Sequence, residues 1–167
     1  LSLHDALPSS PDTGIRWKKT VQPISLKHWP CQEAAAPDRF TTVMNWASYA
    51  PIEWQGKKYG QTAFDFEKFR LLPQCTRQKL VMAMGQGVGS RRPTEELRGL
   101  GWTILEAGEV LPDHTSYHEF LRTSKAEWSV AKHGYVAART GWFSCRTACY
   151  LALGRPALVQ ETGWSDS

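Results

Sequence analysis

The stretch AEWSVAKHGYVAARTGWFSCRTACYLALGRPALVQE, Ala126 to Glu161, decides the fold. AEWSVAK suits a short buried strand. Gly141 to Pro156 reads as a tight turn, a helix of about two and a half turns and a second turn, and PALVQE makes the next strand. A strand, a crossover helix and a returning strand form a βα unit whose strands pair in parallel. The helix entry is unusual. Ser144, Arg146 and Thr147 stand where Asp or Glu would complement the positive end of the helix dipole. Arg146 opposes that dipole unless an anion or an acidic neighbour sits with it. Two readings remain open: a helix start that receives phosphate, or a plain Ser144 N-cap beside a solvated arginine.

The same alternation runs upstream. FTTVMNW (Phe40–Trp46) is a β-branched run that predicts a buried strand, and KLVMAMG (Lys79–Gly85) a second, followed by the glycine-rich GQGVGS. WTILEA (Trp102–Ala107) is a third strand, AEWSVAK a fourth and PALVQE a fifth. Between them, AFDFEKFRLL (Ala63–Leu72) places Phe66 and Phe69 or Leu72 at helical offsets, with Pro73 as its stop. Pro93 opens a helix with Glu95 and Glu96 in its first turn and Gly99 and Gly101 at its end. TSYHEFLRTS (Thr115–Ser124) is a short amphipathic helix with Thr115 or Ser116 available as its cap. The expected fold is α/β: a Rossmann-like parallel sheet with helices on both faces. In such folds ligands bind beyond the carboxyl ends of the strands, which here means the loops after Trp46, Met84, Lys132 and Gln160.

Composition agrees with one such domain. The chain has 167 residues, 41% hydrophobic and 22% charged, with a net charge of +4. The charge is scattered, so it permits an anionic ligand without calling for nucleic acid. Residues 1–10, LSLHDALPSS, resemble a translated sequencing adapter and so read as a non-native leader; the other reading is an ordinary polar N-terminal segment. Residues 11–39 read as a linker or strap; proline recurs at 11, 23, 30 and 37, and QPISL is its one extended candidate. Residues 40–167 form the expected Rossmann-like domain, truncated at its C-terminus, so that the chain reads as an internal piece of something longer. The four cysteines make no CxxC pair, and Cys145 and Cys149 are expected to be buried, reduced thiols. A reducing cytoplasm suits them. No run approaches the roughly 18 apolar residues of a membrane span.

Candidate site residues cluster in the decisive stretch. Gly141 lets the backbone approach a ligand, and the Ser144 hydroxyl can cap the helix or donate to a phosphate oxygen. His133, just after a strand and before Gly134, is either an acid/base or hydrogen-bonding group for a ligand, or a structural histidine. Lys132 and Arg139 flank it with positive charge. In QETG, Gln160 to Gly163, a carboxylate at Glu161 suits sugar or ribose hydroxyls, with Thr162 and Gly163 beside it; the other reading is a turn.

Weaker signals lie elsewhere. EWQGKKYGQ (Glu53–Gln61), with Lys57 and Lys58, is a solvated hairpin tip or a phosphate-reaching loop. GQGVGS is not the full GxGxxG, and no ribose-binding acid is read at the end of the next strand, so it is taken as a turn. Arg91 and Arg92 just after it can face the cleft. Asp65 and Glu67 are read as the polar face of a helix. Eight tryptophans allow core packing, with some left to stack on a base or sugar ring. There is no Walker loop, GxSxG, HExxH or DxD, and no metal-dependent mechanism is supported.

SVAKHGYVAARTGWFSCRTACYLALGRPALVQETGWS, Ser129 to Ser165, resembles the carboxyl-terminal half of bacterial GT-B glycosyltransferases of the group 1 and spore-protein-like type. The likeness extends more weakly back through SYHEFLRTSKAEWSV, KYGQ and RFTTVMNWASY. GWFS followed by LGRPALV also echoes the GWxS and GxP of plant and antibiotic transferases. The resemblance implies a donor-binding domain for a nucleotide-diphosphate sugar, working without a metal cofactor. By that mapping Gly141, Ser144, Arg146 and Thr147 surround the diphosphate, and His133 and Gly134 line the floor. Glu161 to Gly163 meet the sugar or ribose. Relatives often carry Glu at position 145 and Asp at 161, and the acid common in the helix's first turns is missing here. The acceptor and often the catalytic base come from a partner amino-terminal domain, so the chain alone is expected to be inactive. A non-catalytic nucleotide- or phosphate-binding domain, or a sugar-nucleotide epimerase of the same architecture, are the alternatives.

Overall fold

A computed structural model describes residues 14, 22–31, 37–85, 87 and 91–166. The leader, most of the strap and much of GQGVGS (Gln86, Val88, Gly89 and Ser90) lie outside the described residues.

Five strands form one parallel sheet: β1 (Arg39–Asn45), β4 (Lys79–Gly85), β5 (Thr103–Glu106), β6 (Ala126–Ser129) and β7 (Ala157–Val159). The order across it is β5-β4-β1-β6-β7, and every pairing is parallel. Renumbered within the sheet this is 3-2-1-4-5, a Rossmann-like arrangement. Phe40 of β1 stands opposite Leu80 on one side and Ala126 on the other. A separate antiparallel hairpin joins β2 (Ile52–Trp54) to β3 (Lys57–Tyr59). Its two turn residues, Gln55 and Gly56, both have positive φ (49° and 72°), as a type I′ turn requires.

Strand alternation builds a core on each face. On β4, Leu80, Met82 and Met84 point to one side, where they meet Phe66, Leu97, Trp102 and Trp128; Val81 and Ala83 point to the other, toward Phe120, Leu121, Tyr150 and Leu153. The first face is covered by α1 (Thr62–Phe66) and α2 (Thr94–Gly99), and the second by α4 (His114–Arg122) and α6 (Cys145–Ala152). Two further short helices among the described residues are α3 (Ala107–Val110) and α5 (His133–Ala137). Both sheet faces are covered, so β4 reads as a near-continuous apolar run. Three tryptophans pack in the first core, where Phe66 lies 5.2 Å from Trp46 and 5.3 Å from Trp102, and Trp102 lies 4.8 Å from Trp128. Trp29, from the strap, closes the second core against α4, with His118 5.0 Å from its ring.

Several local expectations change. The helix after Gly60 starts at Thr62, tightens into 3-10 turns at Glu67–Phe69 and Leu72–Cys75, and carries Pro73 inside the second turn rather than at its stop. QPISL joins no strand; just after it the backbone N–H groups of His28 and Trp29 close a turn on the Ser25 carbonyl. Asp113, not Thr115 or Ser116, caps α4: its carboxylate accepts from the Ser116 N–H at 2.8 Å, and the same contacts hold its pKa below the usual range. Cys145 is exposed, its thiol donating to Gln22 Oε1 at 2.8 Å, while Cys149 is half-buried and burial pushes its thiol pKa up. Asp65 is not on a polar face. Its side chain is fully buried because it sits between Thr62 and Phe69 on the inward stripe of its helix. β5 does end on an acid, Glu106, but its carboxylate is taken by Arg92 at 2.8 Å.

Candidate functional site

β1 and β6 are neighbours in the sheet, yet the chain leaves β1 toward β4 on one side and leaves β6 toward β7 on the other. Connections that diverge in this way open a crevice at the carboxyl ends of the strands. A cavity of about 430 Å³ lies there, lined by Asn45 and Ser48 at and after the end of β1, by Ser129 to Lys132 at and after the end of β6, and by Val159 and Gln160 at and after the end of β7. Ser144, Arg146 and Thr147 close it from the start of α6. Three of the four loops expected from the strand order therefore converge. The loop after Met84 contributes nothing to the lining among the described residues, and the side chain of Arg92 turns back onto the Met84 carbonyl and Glu106.

The helix entry combines a conventional cap with an inward-turned arginine. Ser144 is extended (φ −75°, ψ 138°), and its Oγ accepts from the Arg146 N–H at 3.2 Å. The Arg146 guanidinium donates from Nε to Glu127 Oε1 at 2.7 Å and from its other nitrogens to the Val43 carbonyl and Ser129 Oγ. Glu127, on β6, is fully buried. The cation at this helix start is thus answered by an acidic neighbour within the fold, one of the two conditions under which an arginine tolerates the dipole. Thr147 differs. It is 1% exposed, lines the cavity, and its Oγ1 has no hydrogen-bond partner. Buried hydroxyls are normally satisfied, so one left unpaired beside a cavity is a feature to explain. Lys132 also lines the cavity, with its Nζ 4.4 Å from the centre of the Tyr49 ring. No Asp or Glu is among the described residues that line it.

The other candidates surround this cavity without lining it. The Gly141 N–H donates to the Thr162 carbonyl at 2.8 Å, and Thr162 Oγ1 donates to the Trp142 carbonyl at 2.7 Å. Gly163, at φ +94°, packs so closely that a Cβ there would lie 2.9 Å from the Arg139 carbonyl oxygen. The two loops form a clasp that fixes the approach to α6. Glu161 turns onto its own loop: hydrogen bonds from Ser165 and from the Gly163 N–H hold its carboxyl below the usual range. His133 and Gly134 sit under the hairpin, where their N–H groups donate to the carbonyls of Gln61 and Gly60. Lys58 is exposed on β3, opposite Glu53.

Asp65 organises this side of the site. Its Oδ1 accepts from Lys68 Nζ at 2.6 Å and from His133 Nδ1 at 3.3 Å, and its Oδ2 accepts from Gln160 Nε2 at 2.8 Å. Gln160 Oε1 in turn accepts from the Ala131 N–H at 3.1 Å. One carboxylate therefore ties α1, the entry to α5 and the end of β7 together beside the cavity. Burial raises its pKa, and the hydrogen bonds from Lys68, His133 and Gln160 outweigh that, leaving it lowered. Sequence reasoning missed Asp65, although an acid on the Thr62–Phe66–Phe69 stripe was the available signal. Glu127 gave none, because its partner lies nineteen positions along the chain.

Among the described residues no cluster of three or more His, Cys, Asp or Glu could hold a metal ion, and no helix is long and apolar enough to cross a membrane. Compared with protein-family models, curated proteins and solved structures, the chain matches none.

Proposed function

We propose that this chain is the donor-binding half of a glycosyltransferase, holding the diphosphate of a nucleotide-activated sugar in the switch-point cavity. The observation that carries the reading is the unpartnered Thr147 hydroxyl, buried in the first turn of α6 against a cavity whose lining, among the described residues, holds a lysine and no carboxylate. A diphosphate is favoured by the helix dipole and drawn by Lys132, and reaches that hydroxyl once the Thr147 side chain turns toward the cavity. The same groups would stabilise a departing nucleoside diphosphate in transfer. The GT-B resemblance of Ser129 to Ser165 supports the sugar as the donor's other half, with the acceptor supplied by a partner domain.

Calorimetry with UDP, GDP and UDP-sugars tests this. Saturable binding at submillimolar concentration is expected, weakened several-fold by Thr147→Val and by Lys132→Ala. No binding at millimolar concentration, or binding indifferent to both substitutions, sinks the reading.

A second reading is a nucleotide- or phosphate-binding domain that does no transfer. It is favoured by the absence of Asp and Glu among the described residues of the cavity lining and by the engagement of Glu161 with its own turn. Nucleotide binding without affinity for the sugar moiety, seen as equal affinity for UDP and every UDP-sugar tried, selects this second reading.

A further inference from the structure

One wall of the cavity is aromatic. Tyr135, on α5, and Trp142, just before α6, both line it, with ring centroids 4.8 Å apart and planes 23° from parallel. This is the only stacked ring pair among the described residues; the other ring contacts are tilted or edge-on. Unlike Trp46, Trp102 and Trp128, which are buried in the core, Trp142 stays 38% exposed although it sits at a site boundary. Its backbone is held on both sides: the Trp142 N–H donates to Thr140 Oγ1 at 3.3 Å, and the Trp142 carbonyl accepts from Thr162. The ring is thus carried on a fixed loop, pre-stacked against a second ring, a few residues from the Thr147 hydroxyl.

We infer that Tyr135 and Trp142 form the platform for a planar ring of the ligand, so that the site selects a nucleotide over a simple phosphate or phosphosugar. The inference rests on the diphosphate reading above and adds which residues distinguish its ligands. A fixed aromatic pair costs little conformational entropy on binding and offers a π-face to any base, so it confers a preference for nucleotides without choosing among them. The anion-binding and ring-binding elements lie on different residues, Thr147 and Lys132 against Tyr135 and Trp142, and can be separated by substitution.

The experiment compares UDP with inorganic pyrophosphate by calorimetry on the full chain and on Trp142→Ala, Trp142→Phe and Thr147→Val, each checked for native circular dichroism. The parent chain is expected to bind UDP at least about tenfold more tightly than pyrophosphate. Trp142→Ala removes most of that preference by weakening UDP alone, Trp142→Phe restores most of it, and Thr147→Val weakens both ligands alike. Equal affinity of the parent for UDP and pyrophosphate, or equal loss of both ligands in Trp142→Ala with native spectra, overturns the platform while leaving the diphosphate reading in place. If neither ligand binds, the diphosphate reading and this inference fall together. Should Trp142→Ala lose its native spectrum, Trp142→Phe against Trp142→Leu decides the matter: the same UDP affinity in both overturns the platform.

Discussion

Arg146 Nε donates to Glu127 Oε1 at 2.7 Å, joining the first turn of α6 to the middle of β6 beneath the cavity floor. The arginine that looked from its position like an anion receptor is therefore first a partner to a fully buried carboxylate. Glu127→Ala leaves a guanidinium unpaired in the interior and is expected to cost about 3–5 kcal/mol of folding stability. Arg146→Ala, which strands the carboxylate, should cost a similar amount. Urea denaturation checks both. Losses below about 1 kcal/mol would show that the pair is not closed in solution and return Arg146 to the ligand.

Acid should loosen the side of the site held by Asp65. Its carboxyl pKa is lowered in the fold, so its contribution is fully present above the unfolded value of about 3.9 and is lost as pH falls through the lower folded value. Asp65→Ala is expected to cost about 2–3 kcal/mol at neutral pH and to flatten the acid limb of the stability curve. A denaturation series from pH 7 down to pH 2 measures both. An acid limb unchanged by the substitution contradicts the prediction.

The alkaline limb has a different origin. Tyr150 is buried, its hydroxyl lies 2.6 Å from Thr41 Oγ1, and burial pushes its pKa up to about 12. Burial also raises that of Tyr117. A phenol whose folded pKa is raised contributes stability below the unfolded value of about 10, which is lost as pH rises toward the folded value. Stability should therefore fall between about pH 10 and 12, and Tyr150→Phe should make that fall shallower while costing about 1 kcal/mol at neutral pH. Spectrophotometric titration of tyrosinate, with parallel denaturation, tests it.

Gly163 sets the clasp between the 139–142 and 161–163 loops. At φ +94°, with a Cβ position 2.9 Å from a backbone oxygen, any side chain there meets both strain and collision. Gly163→Ala is expected to cost about 1–3 kcal/mol and to raise amide exchange at Gly141, whose N–H bonds to Thr162. Gly108→Ala, at a glycine with open space around its Cβ position and ordinary φ, is the control and should be nearly neutral.

The alternation of apolar runs and helical spacing is a local property, and it dictated a parallel sheet covered on both faces. Leu80 to Met84 could be placed inside, and α6 could be set to begin after Ser144, because strand and helix periods need only neighbouring residues. The strand order, the convergence of three loops on one cavity and the fate of each charge at the site were settled only in three dimensions. Thr41 meets Tyr150 across 109 positions, Asp65 meets Gln160 across 95, and Arg146 finds Glu127 on another element. No local pattern records such pairings. Burial makes an isolated charge costly, so each must be met by whatever partner the packed fold brings alongside. The same physics that hid Asp65 in an apolar stripe turned Arg146 inward, while the buried Thr147 hydroxyl beside the cavity stayed unpaired.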